Sequence, residues 1–142
     1  MDLQDDMTIF SLSLALLAVA YAIGRVVGPK VTKCETDEQR RKQRAWILTL
    51  ISSVVCGAHG VFFLGRVIKY GFGHEFSRGE TVADRRVALF FLAYCIADLA
   101  TGALDYIDEI DYQSGWAHHS FYGVGFCVLL YLSLIHISEP PR

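Results

Sequence analysis

Two adjacent histidines, His118 and His119, stand at the start of a long apolar stretch near the end of the chain. Neighbouring side chains on a helix point about 100° apart, so one imidazole can serve a site while the other hydrogen-bonds, for example to Tyr122. An unperturbed histidine titrates near pH 6.5, which suits proton transfer around neutral pH. The pair is therefore the candidate catalytic site, with one histidine as a general base.

Metal binding is the rival chemistry for these histidines. Iron enzymes of membranes use several boxes of the type His-x-x-His-His, but Gly115 and Trp116 stand where the first histidine of such a box is needed. A haem bridge would require His59 to match the depth of the pair on another helix. We therefore predict neither a metal site nor a cofactor.

Further polar residues interrupt the apolar stretches. At 100° per residue, five of them fall on one stripe of a helix, and that stripe must face protein or water because charge at membrane depth is expensive. They are Tyr94, Asp98, Gly102, Asp105 and Glu109.

His59 shares a helix face with Ser52 and Cys56, next to small residues that allow another helix to approach closely. We predict one buried polar network of these side chains: His59, Tyr94, Asp98, Asp105 and Tyr122.

The stretches that carry these residues are long enough to cross a membrane. No Asp, Glu, Lys or Arg occurs between Asp6 and Arg25, or between Arg44 and Arg66. At about 1.5 Å per residue, each run matches a hydrocarbon core of about 30 Å. The predicted fold class is all-α, a polytopic membrane helix bundle of which four transmembrane helices are visible. The spans are Met7–Gly24, Ala45–Gly65, Val87–Leu104 and Tyr112–Tyr131, with a helix break expected at Gly28-Pro29.

Composition excludes other classes. The chain is 53% hydrophobic and has a net charge of −2, which is not the balance of a nucleic-acid-binding protein. Three of the four cysteines lie inside apolar runs, which does not indicate a disulfide framework.

Lysine and arginine counts predict the orientation of the first span. Its N-terminal flank has none, whereas the loop from Arg25 to Arg44 has seven, which favours a lumenal or external N-terminus and a cytoplasmic first loop. The third span gives the opposite signal, because Arg85 and Arg86 precede it and only acidic residues follow it.

The last residues, 132–142, resemble the in-frame translation of an adapter used in sequencing libraries and differ from it only at Pro141. We therefore expect the natural part of the chain to be residues 1–131 and the protein to continue past Tyr131. The expected organisation is an N-terminal transmembrane anchor with a basic loop in residues 1–39, part of a second membrane domain in residues 40–131, and an adapter artefact in residues 132–142.

The run Tyr94-Cys95-Ile96-Ala97-Asp98-Leu99, followed by Gly102, Tyr106 and Gly115-Trp116-Ala117-His118-His119-Ser120, resembles the central block of the TLC-domain family. Ser52-Ser53 with His59 is similar to the first helix of that domain. The family comprises translocating-chain-associated and ceramide synthase-like membrane proteins. The resemblance covers residues 40–131, the N-terminal half of the domain. It implies a multi-pass protein of the endoplasmic reticulum or another internal membrane, with a larger bundle of six to eight helices.

Two functions follow from the resemblance. The first is binding or organisation of membrane lipids, with an effect on lipid composition and no settled reaction. The alternative is a ceramide synthase-like N-acyltransferase, in which His118 or His119 deprotonates a long-chain base that attacks acyl-CoA. Ser120 and Phe121 replace the threonine that often follows the pair in ceramide synthases, and the later His-Asp pair of those enzymes would lie beyond Tyr131. The expected partners are membrane lipids, acyl-CoA and a long-chain base under the alternative, and a second copy in a homo-oligomer.

Overall fold

The computed structural model describes residues 3–71 and 81–137, with only the backbone described for residues 114 and 129–137. All regular structure in these residues is helical. Within residues 3–71 and 81–137, four α-helices occur in chain order: α1, Leu3–Val31; α2, Asp37–Tyr70; α3, Val82–Asp105; and α4, His118–Ile137. A 3-10 turn, Ile107–Glu109, and a π-helical turn, Tyr112–Ala117, connect α3 to α4. Residues 72–80, between the second and third predicted spans, and the last residues of the expected adapter segment lie outside the described residues.

Three of the helices, α1, α2 and α3, are long and apolar enough to cross a membrane. Many of their large apolar side chains are exposed, including Leu16 on α1 and Val61 on α2. Exposure of that kind suits a lipid environment, since a soluble protein would bury these side chains.

The first helix does not break at Gly28-Pro29, contrary to the prediction. Pro29 lies inside α1, in its last turn. Proline removes one backbone donor, and so near the helix end it disturbs little of the hydrogen-bond ladder that follows. The helix ends instead near Lys33, which adopts a positive φ of 52°.

The second helix begins earlier than the apolar run predicts. Thr36 caps it, because the Thr36 hydroxyl accepts from the Gln39 backbone N–H and the Gln39 side chain accepts from the Thr36 N–H. This capping box starts the helix at Asp37, so the charged segment before Ala45 is helical and extends α2 beyond the predicted span.

The close approach of α1 to α2 uses two glycines of α1. A side chain at Gly24 would collide with Ile47, and one at Gly28 would collide with Gln43. By contrast, Gly57 and Gly60 on α2 have open space beside them. The sequence does carry the signal, since Gly24 and Gly28 form a G-x-x-x-G pair of the kind that brings membrane helices together.

Helix α3 lies against α1, α2 and α4 and is the most buried of the spans. The core combines Leu17 and Tyr21 of α1 with Leu48 of α2 and side chains of α3. Contacts at both ends show that α1 and α3 run parallel: Asp6 pairs with Arg85 at one end, and Tyr21 bonds to Asp105 at the other.

Arg85, one of the two arginines before the third span, is buried in a pair with Asp6. Nε of Arg85 lies 3.0 and 3.1 Å from the two carboxylate oxygens of Asp6, and the two residues are 4% and 5% exposed. The neighbouring Arg86 is exposed, so the positive charge before the third span still differs from the signal of the first loop.

Candidate functional site

The centre of the candidate site is the contact between Asp98 on α3 and His119 on α4. Nδ1 of His119 lies 3.0 Å from Oδ2 of Asp98. The two atoms are close enough for an ion pair, but the ring N–H does not point at the oxygen well enough for a hydrogen bond. His119 is 9% exposed and Asp98 is 7% exposed, so both groups are held away from lipid and solvent.

The other nitrogen of His119 faces a tyrosine. Nε2 lies 3.4 Å from the hydroxyl of Tyr94, and the two rings meet edge to face. The same hydroxyl lies 3.3 Å from Oγ1 of Thr49 on α2. Three helices therefore contribute to one chain of polar contacts, from Thr49 through Tyr94 and His119 to Asp98.

Tyr106 completes the surroundings of Asp98. Its hydroxyl donates to Oδ1 of Asp98 at 2.8 Å and lies 3.0 Å from Oγ1 of Thr101. Burial raises the pKa of the Tyr106 phenol well above its ordinary range. The hydrogen bond with Thr101 lowers this pKa in part, and the nearby charge of Asp98 raises it further. The phenol stays protonated as a donor, so one oxygen of Asp98 is occupied and the other faces His119.

The turn after α3 folds Tyr106 back toward Asp98. Ile110 lies so close to Gly102 and Gly115 that a Cβ atom at either glycine would collide with its side chain. The two glycines thus let the turn pack against the end of α3. The π-helical turn follows, with the Trp116 N–H donating to the Asp111 carbonyl five residues earlier, and it sets the rotation at which α4 begins.

A cavity of about 400 Å³ opens beside this cluster. Its lining includes the carboxylates of Asp98, Glu109 and Asp111, both histidines of the pair, and Tyr94. In the described part of the chain, no group of three or more His, Cys, Asp and Glu side chains is arranged to hold a metal ion. The cluster can hold a ligand by hydrogen bonds and can move a proton through His119.

The two histidines occupy different surroundings. His118 is exposed, and its ring packs edge to face against Tyr122 with centroids 4.5 Å apart. Tyr122, which is 40% exposed, also meets Phe91 edge to face. Of the two histidines, it is His119 that contacts Asp98. The structure thus separates a buried histidine with a carboxylate partner from an exposed histidine at the cavity wall.

His59 lies in a second cluster and does not join Asp98. Its Nε2 lies 2.9 Å from Oδ1 of Asp84 near the start of α3, and Arg66 donates to the other oxygen of Asp84 at 2.6 Å. The antiparallel arrangement of α2 and α3 explains the separation, since residues late in α2 face residues early in α3.

Asp105 belongs to a third cluster at the opposite end of the helices. It accepts from the Tyr21 hydroxyl at 2.7 Å and lies within 3.4 Å of Arg25 and Arg44. The predicted single network is therefore wrong in extent. Its five members divide among three polar clusters and the contact of Tyr122 with His118. The stripe on α3 runs along the length of the helix, so its residues lie at different depths and meet different partner helices.

Several residues of these clusters were not among the predicted site residues: Asp6, Thr49, Arg66, Asp84, Arg85, Thr101 and Tyr106. Thr101 and Tyr106 do carry a local signal, because each lies within about two helical turns of Asp98. The partners on other helices carry none, since their contact depends on the register between helices. No protein-family model, curated protein or solved structure matches this chain.

Proposed function

We propose that this chain is part of a TLC-type multi-pass membrane protein of the endoplasmic reticulum or another internal membrane, and that it binds the polar end of a membrane lipid in the cavity beside His119 and Asp98. In this proposal α4 is the fourth span, and further helices complete the bundle. The lipid-binding role is one in membrane lipid homeostasis or composition.

The observation that carries the proposal is the buried pair of His119 and Asp98 beside a cavity. Asp98 lies seven residues before Asp105, which corresponds to a depth of about 10 Å below that end of α3. An aspartate at such depth costs several kcal/mol unless it has a partner or a task, and ionisable groups in spans usually face a wet cavity. Here the partner and the cavity are both present.

A second candidate function, N-acyl transfer from acyl-CoA to a long-chain base, is favoured by the direction of the His119 ring. Asp98 beside Nδ1 favours the tautomer that leaves the lone pair on Nε2. That nitrogen would take a proton from the amine as the amine nitrogen forms a bond to the thioester carbon. The carbon–sulfur bond then breaks, and the imidazolium returns a proton to the CoA thiolate.

The test compares variants of His119 and Asp98 in membranes that contain the full chain. Acyl transfer to a long-chain base and the total lipid profile are measured for wild type, His119→Gln, Asp98→Asn and the exposed control Asp108→Asn. Under the acyltransferase function, His119→Gln lowers the rate by about 10² to 10⁴ while expression is unchanged.

The lipid-binding function predicts a different pattern. No acyl transfer is then detected in any variant, whereas Asp98→Asn and His119→Gln change the lipids that copurify with the chain and Asp108→Asn does not. An identical lipid profile and identical copurifying lipids in all four proteins would refute both functions.

A further inference from the structure

Three arginines meet where α1 and α2 pack against the end of α3 and the turn that follows it. Arg25 and Arg44 both lie beside Asp105, with a guanidinium nitrogen 3.4 and 3.3 Å from a carboxylate oxygen. Nε of Arg41, one helical turn before Arg44 on α2, lies 3.6 Å from Oε1 of Glu109. These five side chains form an arginine cluster in which positive charge exceeds negative charge by one.

The arginines of this cluster hold their carboxylates loosely. At the opposite end of the helices Arg66 donates to Asp84 at 2.6 Å, which is a short hydrogen bond. The ion pairs of the arginine cluster are 3.3 to 3.6 Å long, and no described residue accepts a hydrogen bond from its three guanidinium groups. Arg41 and Arg44 face their carboxylates through Nε, so their terminal nitrogens remain available to another acceptor.

The arginine cluster is open on one side. The exposed fraction of the arginine side chains rises from 20% at Arg44 to 38% at Arg41 and 54% at Arg25, whereas the two carboxylates are 15% and 17% exposed. An incoming anion therefore meets guanidinium groups first and need not displace a carboxylate. Arginine presents its donors as a planar fork, which matches the oxygens of a phosphate group.

The depth of the cluster matches the headgroup layer of a membrane. Arg25 is the first charged residue after the apolar run of α1, and Arg44 is the last one before the apolar run of α2. Both therefore lie at the edge of the hydrocarbon core if these helices span it. Arg41 lies three residues further out, about 4.5 Å along the helix axis. The headgroup layer extends about 5 to 7 Å beyond the same edge, so the phosphates of phospholipids lie at the level of the arginines.

We propose that Arg25, Arg41 and Arg44 together bind one phosphate group. Their depth makes a phospholipid the expected source of that group, and a soluble phosphate is the other source. Asp105 and Glu109 orient the arginines from the protein side. The site is separate from the cavity beside His119, whose lining includes none of the three arginines, and so the inference does not depend on the proposed function.

Two binding measurements on the full chain distinguish the sources. In the first, the chain is placed in phosphatidylcholine nanodiscs that contain a varied fraction of phosphatidate, and native mass spectrometry counts the phosphatidate retained by each chain. In the second, inorganic phosphate is titrated calorimetrically into nanodiscs of phosphatidylcholine alone. We expect one phosphatidate to be retained per chain. Binding of inorganic phosphate with the variant pattern below would support the same site with a soluble ligand.

Arg44→Gln and Arg40→Gln give a matched comparison on α2. Both remove one positive charge, but Arg40 is exposed, lies 3.5 Å from Asp37 and is outside the arginine cluster. Arg44→Gln is expected to weaken phosphate binding at least about tenfold, as expected for a lost hydrogen bond to a charged group. Arg40→Gln should weaken it by less than about twofold.

Arg25→Gln covers the case in which Arg44→Gln does not fold. Arg25 is the most exposed of the three arginines, and Arg44 still pairs with Asp105 in this variant. It should also weaken binding about tenfold. Equal weakening by Arg25→Gln and Arg40→Gln overturns the proposal, because diffuse attraction to charge would then explain the binding. Failure of the wild type to bind phosphate in either measurement overturns it as well. Neither result bears on lipid that copurifies through Asp98, so the proposed function is tested separately.

Discussion

The buried ion pair between Asp6 and Arg85 allows a quantitative test of how the helices are held together. Replacing Arg85 by methionine removes the guanidinium and leaves the carboxylate of Asp6 without its partner at a position that is only 5% exposed. Removing one partner of a buried pair costs about 3 to 5 kcal/mol, because the remaining charge is neither solvated nor compensated.

The double variant Asp6→Leu with Arg85→Met should behave differently. With both charges removed, the cost falls to about 1 kcal/mol or less, because apolar groups of similar size replace a pair that had itself paid for desolvation. The free energy of unfolding is measured for the full chain in a bilayer mimic by titration with a denaturing detergent, for wild type, both single variants and the double variant.

The expected result is a strong coupling, in which the double variant is more stable than either single variant. Arg86 supplies the control, because it is exposed on the neighbouring position, and Arg86→Met should change the stability by less than about 0.5 kcal/mol. Additive effects of the two single substitutions, each below about 1 kcal/mol, would show that Asp6 and Arg85 do not pair and that the parallel arrangement of α1 and α3 is incorrect.

Four further outcomes are expected. A glycosylation acceptor in a lengthened N-terminus should be modified and one in the loop between α1 and α2 should not, and the reverse result would invert the orientation. Gly24→Leu should destabilise the contact of α1 with α2 by about 1 to 3 kcal/mol, as read from the same detergent titration, and an unchanged midpoint would argue against the close approach. Gly115→Ala should lower lipid binding and the added substitution Ile110→Ala should restore it, since the smaller side chain removes the collision; failure of this rescue would separate the turn from the site. Tyr106→Phe should cost about 1.5 to 3 kcal/mol of stability through the lost hydrogen bond to a carboxylate, and a fully stable variant would show that this bond contributes nothing.

The first three spans were predictable because apolarity accumulates over many residues, and no single neighbour can reverse it. The helix ends were less so: Thr36 extends α2 by a capping box within the charged segment, and Pro29 is tolerated in the last turn of α1. These ends depend on a few hydrogen bonds, which a hydropathy pattern does not record.

The candidate site was predictable along one helix and not between helices. The spacing of Tyr94 and Asp98 places them on the same face of α3, and both are buried. Which histidine reaches Asp98 depends on the rotation of α4, and the partner of His59 depends on the register of α2 against α3. Counting positive charges likewise treated Arg85 as free, because its partner Asp6 is 79 residues away in sequence.

The π-helical turn before His118 makes the position of His119 sensitive to how this segment winds. Its wider winding accommodates one residue more than an α-helical turn would. If Tyr112–Ala117 wound as α-helix at the same chain length, α4 would rotate by about 100° about its own axis, the angle of one residue. His119 would then face away from Asp98 although every residue of the site is retained. Sequence changes in this short segment that favour α-helical winding can therefore remove the site as effectively as substitution of the histidine itself.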